Sequence, residues 1–315
     1  MQGIGKIVRI PALGAAILLL AGCITPYPDL TQSRSPCRNE PGGWCDFVRD
    51  IAVDSYAYAM LSSNAYRDED EYTALPAAFE ERTVADNDDS GLAYSVFDRF
   101  TMNADGTRGD LAARVIAFRG TEFGSASDIF YGSFGMSQQN NARELLRDTR
   151  SAMDAAGLEG IPIELTGHSL GGALAIQLSI ENAGIRAYVF NASPFFRGDP
   201  AANDNDRISV SERDEFLRVL RKYKAQPAAN ALVINCSPSS SAGQKHSIRN
   251  LGDCLTWIAA HNEPEAFDLL ARNNIAKPEI ECDENIAHPG LRSQIPEPGE
   301  VIAPCIHSPK PIERS

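Results

Sequence analysis

A chain of 315 residues, 43% of them hydrophobic, holds enough apolar side chain for one sizeable core, so one large domain is expected. Acids outnumber bases 42 to 29, a formal charge of -13, which argues against nucleic acid as a partner because phosphate contacts need clustered Lys and Arg. The acidity itself reads as a soluble, self-repelling surface.

Residues 1–22 read as a targeting segment. Lys6 and Arg9 precede an apolar run from Leu13 to Ala21 that is too short to span a bilayer. The run ends in Leu20, Ala21, Gly22 and Cys23, which resembles the lipobox of bacterial lipoproteins. That resemblance implies cleavage before Cys23 and acylation of its thiol, with an ordinary secretory signal and an incidental cysteine as the alternative. Ile24, standing where an aspartate would signal retention, fits by resemblance an outer-membrane lipoprotein facing the periplasm. Residues 23–45, with Pro26, Pro28, Pro36 and Pro41, read as an extended tether. Six cysteines remain once Cys23 carries lipid, and three disulfides are expected outside the cytoplasm. Of the 15 connectivities, the economical one joins Cys37 to Cys45, Cys236 to Cys254 and Cys282 to Cys305. No paired CxxC occurs, so no metal site is expected.

The domain proper is expected over 46–274. Apolar and small residues at helical spacing (Phe47, Ile51, Ala52, Tyr56, Met60, Leu61) predict a helix from Asp46 to about Tyr66. Two strands, Ala93 to Phe100 and Leu111 to Phe118, are joined by MNADGTRGD and form a hairpin. Helix and strand then alternate: helix from Asn141 to Ala155, strand from Ile161 to Thr166, helix from Leu170 to Glu181, strand from Ala187 to Asn191. A strand from Ile208 to Ser211, a helix from Asp214 to Tyr223, a strand from Ala231 to Asn235 and a helix from His246 to Ala260 follow. This order predicts an α/β fold with a mostly parallel central sheet and helices on both faces, binding ligand at the carboxyl ends of its strands. The proline-rich tail, 275–315, is expected to pack on the domain.

LTGHSLGG puts Ser169 where the apolar strand IPIELT meets a helix beginning at Leu170. A side chain presented from so sharp a turn needs small neighbours two positions away, which Gly167 and Gly171 supply. The Leu170 N–H and the helix dipole beside Ser169 favour negative charge on an attacked carbonyl oxygen. A structural glycine turn is the alternative. A second stretch, VIAFRGTE (Val115 to Glu122), ends a buried strand in Arg-Gly-Thr. It resembles the FRGT segment of class 3 (fungal-type) lipases of the α/β-hydrolase superfamily, and VFNASPF (Val189 to Phe195) resembles that family's FGSPR stretch. The resemblance spans about 200 residues and implies the α/β-hydrolase fold, with Thr121 as an oxyanion donor beside Leu170. Arg197 arrives later than the family's arginine, and Ile129 and Phe130 stand in place of its Trp and Asn, which fits a distant bacterial branch.

A serine hydroxyl needs an imidazole to take its proton and a carboxylate to orient that imidazole. Of His246, His261, His288 and His307, only His246 lies in a Ser/Gly-rich loop between an apolar strand and an apolar-faced helix, and it is the expected base. RISVSERDEFL offers Glu212, Asp214 and Glu215. Asp214 matches the family's aspartate best and Glu212 is its rival. His168, beside Ser169 in the chain, is expected to pack at the elbow. The expected activity is ester hydrolysis through an acyl-enzyme on Ser169 by a lipid-anchored, extracytoplasmic lipase, phospholipase or esterase. Its partners are a lipid or other ester substrate and the membrane that holds its anchor; no cofactor is needed, and no protein partner is implied. Phe123, Phe130, Tyr131, Phe134 and Met136 are candidates for an acyl pocket or lid. An acyltransferase with the same relay and a non-catalytic binding module are the alternatives.

Overall fold

Alternating side chains along the central strands divide the core in two. A computed structural model describes residues 37, 40–68, 70–85, 91–120, 136–221 and 230–279. Its seven strands are β1 (Phe79–Ala85), β2 (Tyr94–Met102), β3 (Arg108–Phe118), β4 (Ile163–His168), β5 (Arg186–Phe190), β6 (Arg207–Glu212) and β7 (Asn230–Ile234). They lie in one sheet in chain order. β1, β2 and β3 run antiparallel; β3 through β7 are parallel. The helices are α1 (Asp46–Asn64), α2 (Met136–Ala155), α3 (Leu170–Glu181), α4 (Arg218–Arg221), α5 (Ile248–Ala259) and α6 (Pro264–Arg272).

Right-handed crossovers between successive neighbouring strands must all fall on one face. Accordingly α2 and α3 share a core with Ile116 and Phe118 of β3, Ile163 and Leu165 of β4, and Ala187 and Val189 of β5. The residues between them, Val115, Ala117, Tyr188 and Phe190, face the other way, into a core completed by α1, α5 and α6. This is the expected α/β-hydrolase arrangement, a mostly parallel sheet covered on both faces.

One contact line fixes α1 against β4. Four helical residues rise about 6 Å and two strand residues about 6.6 Å, so every fourth residue of the helix meets every second of the strand. Tyr58 hydrogen-bonds Glu164, Ser62 Oγ lies 2.8 Å from Thr166 Oγ1, and Tyr66, just past the helix, reaches His168 Nδ1 at 2.7 Å.

Several expectations change. β1 was not expected: FEERTVA shows no apolar alternation, because an edge strand buries little of either face. α6 was not expected either; Glu263 caps it, Pro264 opens it, and only Ala266 and Leu269 are fully buried. The helix expected from Asp214 to Tyr223 begins at Arg218, since 213–217 form turns, and 222–229 lie outside the described residues. α5 starts at Ile248, where the Ser247 side chain accepts from Asn250 N, so His246 belongs to a 3-10 turn before the helix (Gln244–His246) and not to its first turn. Trp44, placed by sequence in the tether, is fully buried.

Cys37 pairs with Cys45 and Cys236 with Cys254, with Cα separations of 4.9 and 6.1 Å, as expected. Cys23, Cys282, Cys305, the targeting segment and the tail beyond 279 lie outside the described residues. Among the described residues no helix is long and apolar enough to cross a membrane.

Candidate active site

Register brings the ends of three strands to one place. Phe118 pairs with Gly167 across β3 and β4, and His168 with Phe190 across β4 and β5. Between β4 and α3 the backbone reverses at Ser169, whose φ of 55° and ψ of -122° few non-glycine residues adopt. The neighbours explain how this is tolerated. A Cβ on Gly167 would sit 2.5 Å from the Gly171 carbonyl carbon, and one on Gly171 would strike the Phe118 carbonyl oxygen. The turn is pinned further by hydrogen bonds from Ser169 N to Phe190 O (3.1 Å) and from Ser193 N to Ser169 O (2.9 Å).

Ser169 Oγ lies 3.1 Å from His246 Nε2, and His246 Nδ1 lies 2.7 Å from Glu215 Oε2. An ionised carboxylate only accepts, so Nδ1 carries the proton and Nε2 is left to accept from the serine hydroxyl. All three residues are buried. Burial by itself raises the Glu215 pKa. The hydrogen bond with His246, the charge of Arg221 and the Leu217 N–H together outweigh it and hold the carboxyl below its ordinary range. The Phe216 ring covers the imidazole, 4.1 Å between centroids.

The structure therefore corrects the acid. Asp214 is exposed, has a φ of 63°, and pairs with Arg218 at 2.8 Å. A left-handed residue, which aspartate adopts more readily than most, turns the chain so that 214 faces out and 215 faces in. The carboxylate brought against His246 is therefore that of Glu215. Glu212 is buried but occupied elsewhere, accepting from Cys236 N (2.9 Å) and Ser237 N (3.2 Å). It ties the end of β6 to the start of the loop that carries His246.

His168 does more than pack. Its Nε2 donates to the His246 carbonyl oxygen at 2.7 Å, so Nδ1 accepts from the Tyr66 hydroxyl. That hydroxyl in turn accepts from Gly120 N–H at 3.2 Å. Burial, with repulsion from His246 second, pushes the His168 pKa well below its ordinary 6.5 and outweighs the hydrogen bond to the His246 carbonyl, so the ring stays neutral. Asn191 also holds the His246 turn, its Nδ2 donating to the carbonyls of Lys245 (3.2 Å) and His246 (3.3 Å). Tyr66 and Arg221 carried no sequence signal, because each acts through contacts made only in the folded chain; Asn191 lies in the VFNASPF stretch, which does not show that its side chain turns to the His246 loop.

Leu170 N–H follows Ser169 at the start of α3. A Cβ on Gly120 would lie 3.1 Å from Ser169 Cβ, so the end of β3 runs alongside the serine. Thr121 itself lies outside the described residues, as do Phe123, Ile129, Phe130, Tyr131, Phe134, His288 and His307. His261 lies just past the far end of α5. Among the described residues no cluster of His, Cys, Asp and Glu is arranged to hold a metal ion.

A family model described as a Tle-like phospholipase domain matches residues 57–224, a span that contains Ser169, Glu215 and Arg221 and stops before His246. Among solved structures the chain is similar to lipase II from Rhizopus niveus at 12% identity, covering 56% of this chain and 75% of that one, with a TM-score of 0.39. A triacylglycerol lipase from Penicillium expansum shares 14% identity over 60% of this chain and 81% of its own, with a TM-score of 0.40. An α/β serine hydrolase homologue from Coxiella burnetii shares 10% identity over 55% of this chain and 95% of its own, with a TM-score of 0.32. No curated protein matches the chain at a significant level.

Proposed function

Because the chain belongs to the family of Tle-like phospholipase domains, we propose that it is a serine hydrolase of carboxylic esters, acting on lipid or phospholipid substrates. The observation that carries this reading is the buried line from Ser169 Oγ through His246 to Glu215. In the proposed reaction His246 Nε2 takes the hydroxyl proton as Ser169 Oγ attacks the ester carbonyl. Glu215 stabilises the imidazolium, and the proton passes to the leaving alcohol as the tetrahedral intermediate collapses. Water, activated by the same imidazole, then releases the acid. The developing oxyanion is assigned to the N–H groups of Leu170 and Thr121; losing one such donor typically costs about 3–4 kcal/mol of barrier. An acyltransferase differs only in the hydroxyl that resolves the acyl-enzyme.

The extracytoplasmic setting is part of the proposal. Six cysteines outside the lipobox and two disulfides in the fold support an oxidising compartment, and the lipobox resemblance supports a lipid anchor on Cys23. Cys23→Ser is expected to move the protein out of the membrane fraction.

Labelling with a fluorophosphonate probe tests the nucleophile: wild type should react and Ser169→Ala should not. A wild-type chain that stays unlabelled favours a binding module and sinks the hydrolase reading. A panel of phospholipid, triglyceride and short soluble esters, run with and without an alcohol acceptor, identifies the substrate class and separates hydrolysis from acyl transfer.

A further inference from the structure

The short helix α4 ends on Arg221, whose side chain is only 8% exposed. Burying a guanidinium is costly unless its donors are placed, and here both arms are. Nη2 pairs with Glu215 Oε1, and Nη1 donates to the Ala192 carbonyl at 2.8 Å. Neither acceptor is remote from the serine. Glu215 gives its other oxygen to His246, and Ala192 precedes Ser193, whose N–H donates to the Ser169 carbonyl at 2.9 Å. The contacts therefore close a ring, from Ser169 Oγ through His246, Glu215, Arg221 and Ala192–Ser193 back to the backbone of Ser169.

A serine, histidine and carboxylate alone form an open chain; here the Leu217 N–H holds the Glu215 oxygen that faces His246, at 2.9 Å, and Arg221 holds the other. We infer that Arg221 is a positioning residue for the proposed relay: it fixes the plane of the Glu215 carboxylate toward His246 and ties the acid to the loop that braces the nucleophile. The inference rests on the hydrolase reading above. A lysine would keep the charge at this place but lacks the planar fork that spans a carboxylate oxygen and a carbonyl at once.

The charged and titratable groups around Glu215 give the inference a pH signature. His246 faces it from the 3-10 turn and Arg221 from α4. Arg218, on the same helix, pairs with Asp214 at 2.8 Å, and the His168 ring, at the end of β4, lies tilted against that of His246 with 4.6 Å between centroids. Removing the Arg221 charge removes one of the influences that keep Glu215 ionised. The carboxyl then protonates at higher pH, and the acid limb of the rate profile moves up.

The test uses the full chain, a soluble p-nitrophenyl ester, and kcat, KM, pH profile and Tm for wild type, Arg221→Gln and Arg221→Lys. Arg221→Gln is expected to lower kcat about tenfold or more at nearly unchanged KM and to raise the acid-limb midpoint by about one pH unit. Arg221→Lys is expected to keep the midpoint and lose roughly fivefold in kcat. An Arg221→Gln enzyme with the wild-type profile overturns the inference, as does one whose activity falls only with its folded fraction while the midpoint stays put. Should Arg221→Gln fail to fold, Arg221→Lys decides alone: wild-type kcat overturns, a several-fold loss at constant KM supports. A wild-type enzyme that is itself inert and unlabelled overturns the hydrolase reading, an outcome distinct from variants that match an active wild type.

Discussion

Glu215 Oε2 meets His246 Nδ1 at 2.7 Å across 31 residues of chain. Asp214, one residue earlier, points to solvent and pairs with Arg218. Glu215→Gln replaces an acceptor that holds the productive tautomer with an amide that does not. It is expected to lower kcat by about 10³-fold or more, whereas Asp214→Asn should stay within about twofold, as surface changes usually do. Initial rates on a soluble ester, with far-UV CD as a fold control, distinguish the two. A crippled Asp214→Asn beside an active Glu215→Gln would reverse the assignment.

The elbow makes a prediction about packing alone. A methyl group on Gly171 has nowhere to go, because the obstacle is the Phe118 backbone of β3 and not a movable side chain. Gly171→Ala is expected to cost about 3 kcal/mol or more, or to prevent folding. Gly160→Ala, with nothing within 4 Å of the added carbon, should change stability by less than about 1 kcal/mol. Urea unfolding of the two variants measures the difference; equal stabilities would mean that β3 and the elbow do not approach as described.

The parts of this molecule that sequence made legible are those governed by local rules. α3 falls over Leu170–Glu181 as expected because a strand, a glycine-flanked serine and a run of small and apolar residues define both ends. The hairpin of β2 and β3 follows from its turn residues, and His246 from its place between an apolar strand and an amphipathic helix. Local rules stop at the acid. Asp214 and Glu215 are adjacent and both ionisable, and only the left-handed turn at 214 decides which one enters the core. Arg221 reads as an ordinary helical cation until the fold carries Ala192 and Glu215 to either side of it. The pairing of Tyr66 with His168 depends on helix and strand rises matching over 102 residues of separation, which no window of sequence displays.

The Tyr66 hydroxyl links Gly120, just past β3, to His168, which holds the backbone of His246. Tyr66→Phe leaves the Gly120 N–H and His168 Nδ1 without that partner in a buried place. The expected cost is about 1–3 kcal/mol of stability, with a fall in kcat larger than any change in KM, since the strand end and the imidazole are reached through the same oxygen. Steady-state kinetics beside a denaturant melt provide the check. A stability loss with unaltered kcat would confine Tyr66 to a structural role.

Cys236 and Cys254 bracket the loop that carries His246, joining the end of β7 to the middle of α5, and Glu212 receives the Cys236 and Ser237 amides at the same place. Replacing both cysteines by alanine is expected to cost on the order of 2–4 kcal/mol while leaving the strands and helices intact. Activity should therefore decline at temperatures where the far-UV CD signal is still that of the wild type. Loss of activity and CD along one common curve would show that the bridge stabilises the whole domain without a separate effect on the loop.

Proton linkage separates His168 from the acid. Its folded pKa lies well below the ordinary 6.5, through burial first and His246 second, so at mildly acidic pH the unfolded chain binds a proton that the folded chain refuses. The resulting stability is complete above 6.5 and is lost as pH falls from there toward the lowered value. Glu215 behaves alike in a lower window: its depressed pKa contributes stability above 4.5 that disappears as pH falls through the folded-state value. Wild-type Tm should therefore fall between about pH 7 and about pH 5. His168→Gln, which keeps a donor for the His246 carbonyl but cannot titrate, should show a much flatter decline over that interval. Parallel Tm curves for the two proteins would remove His168 as the source of the acid sensitivity.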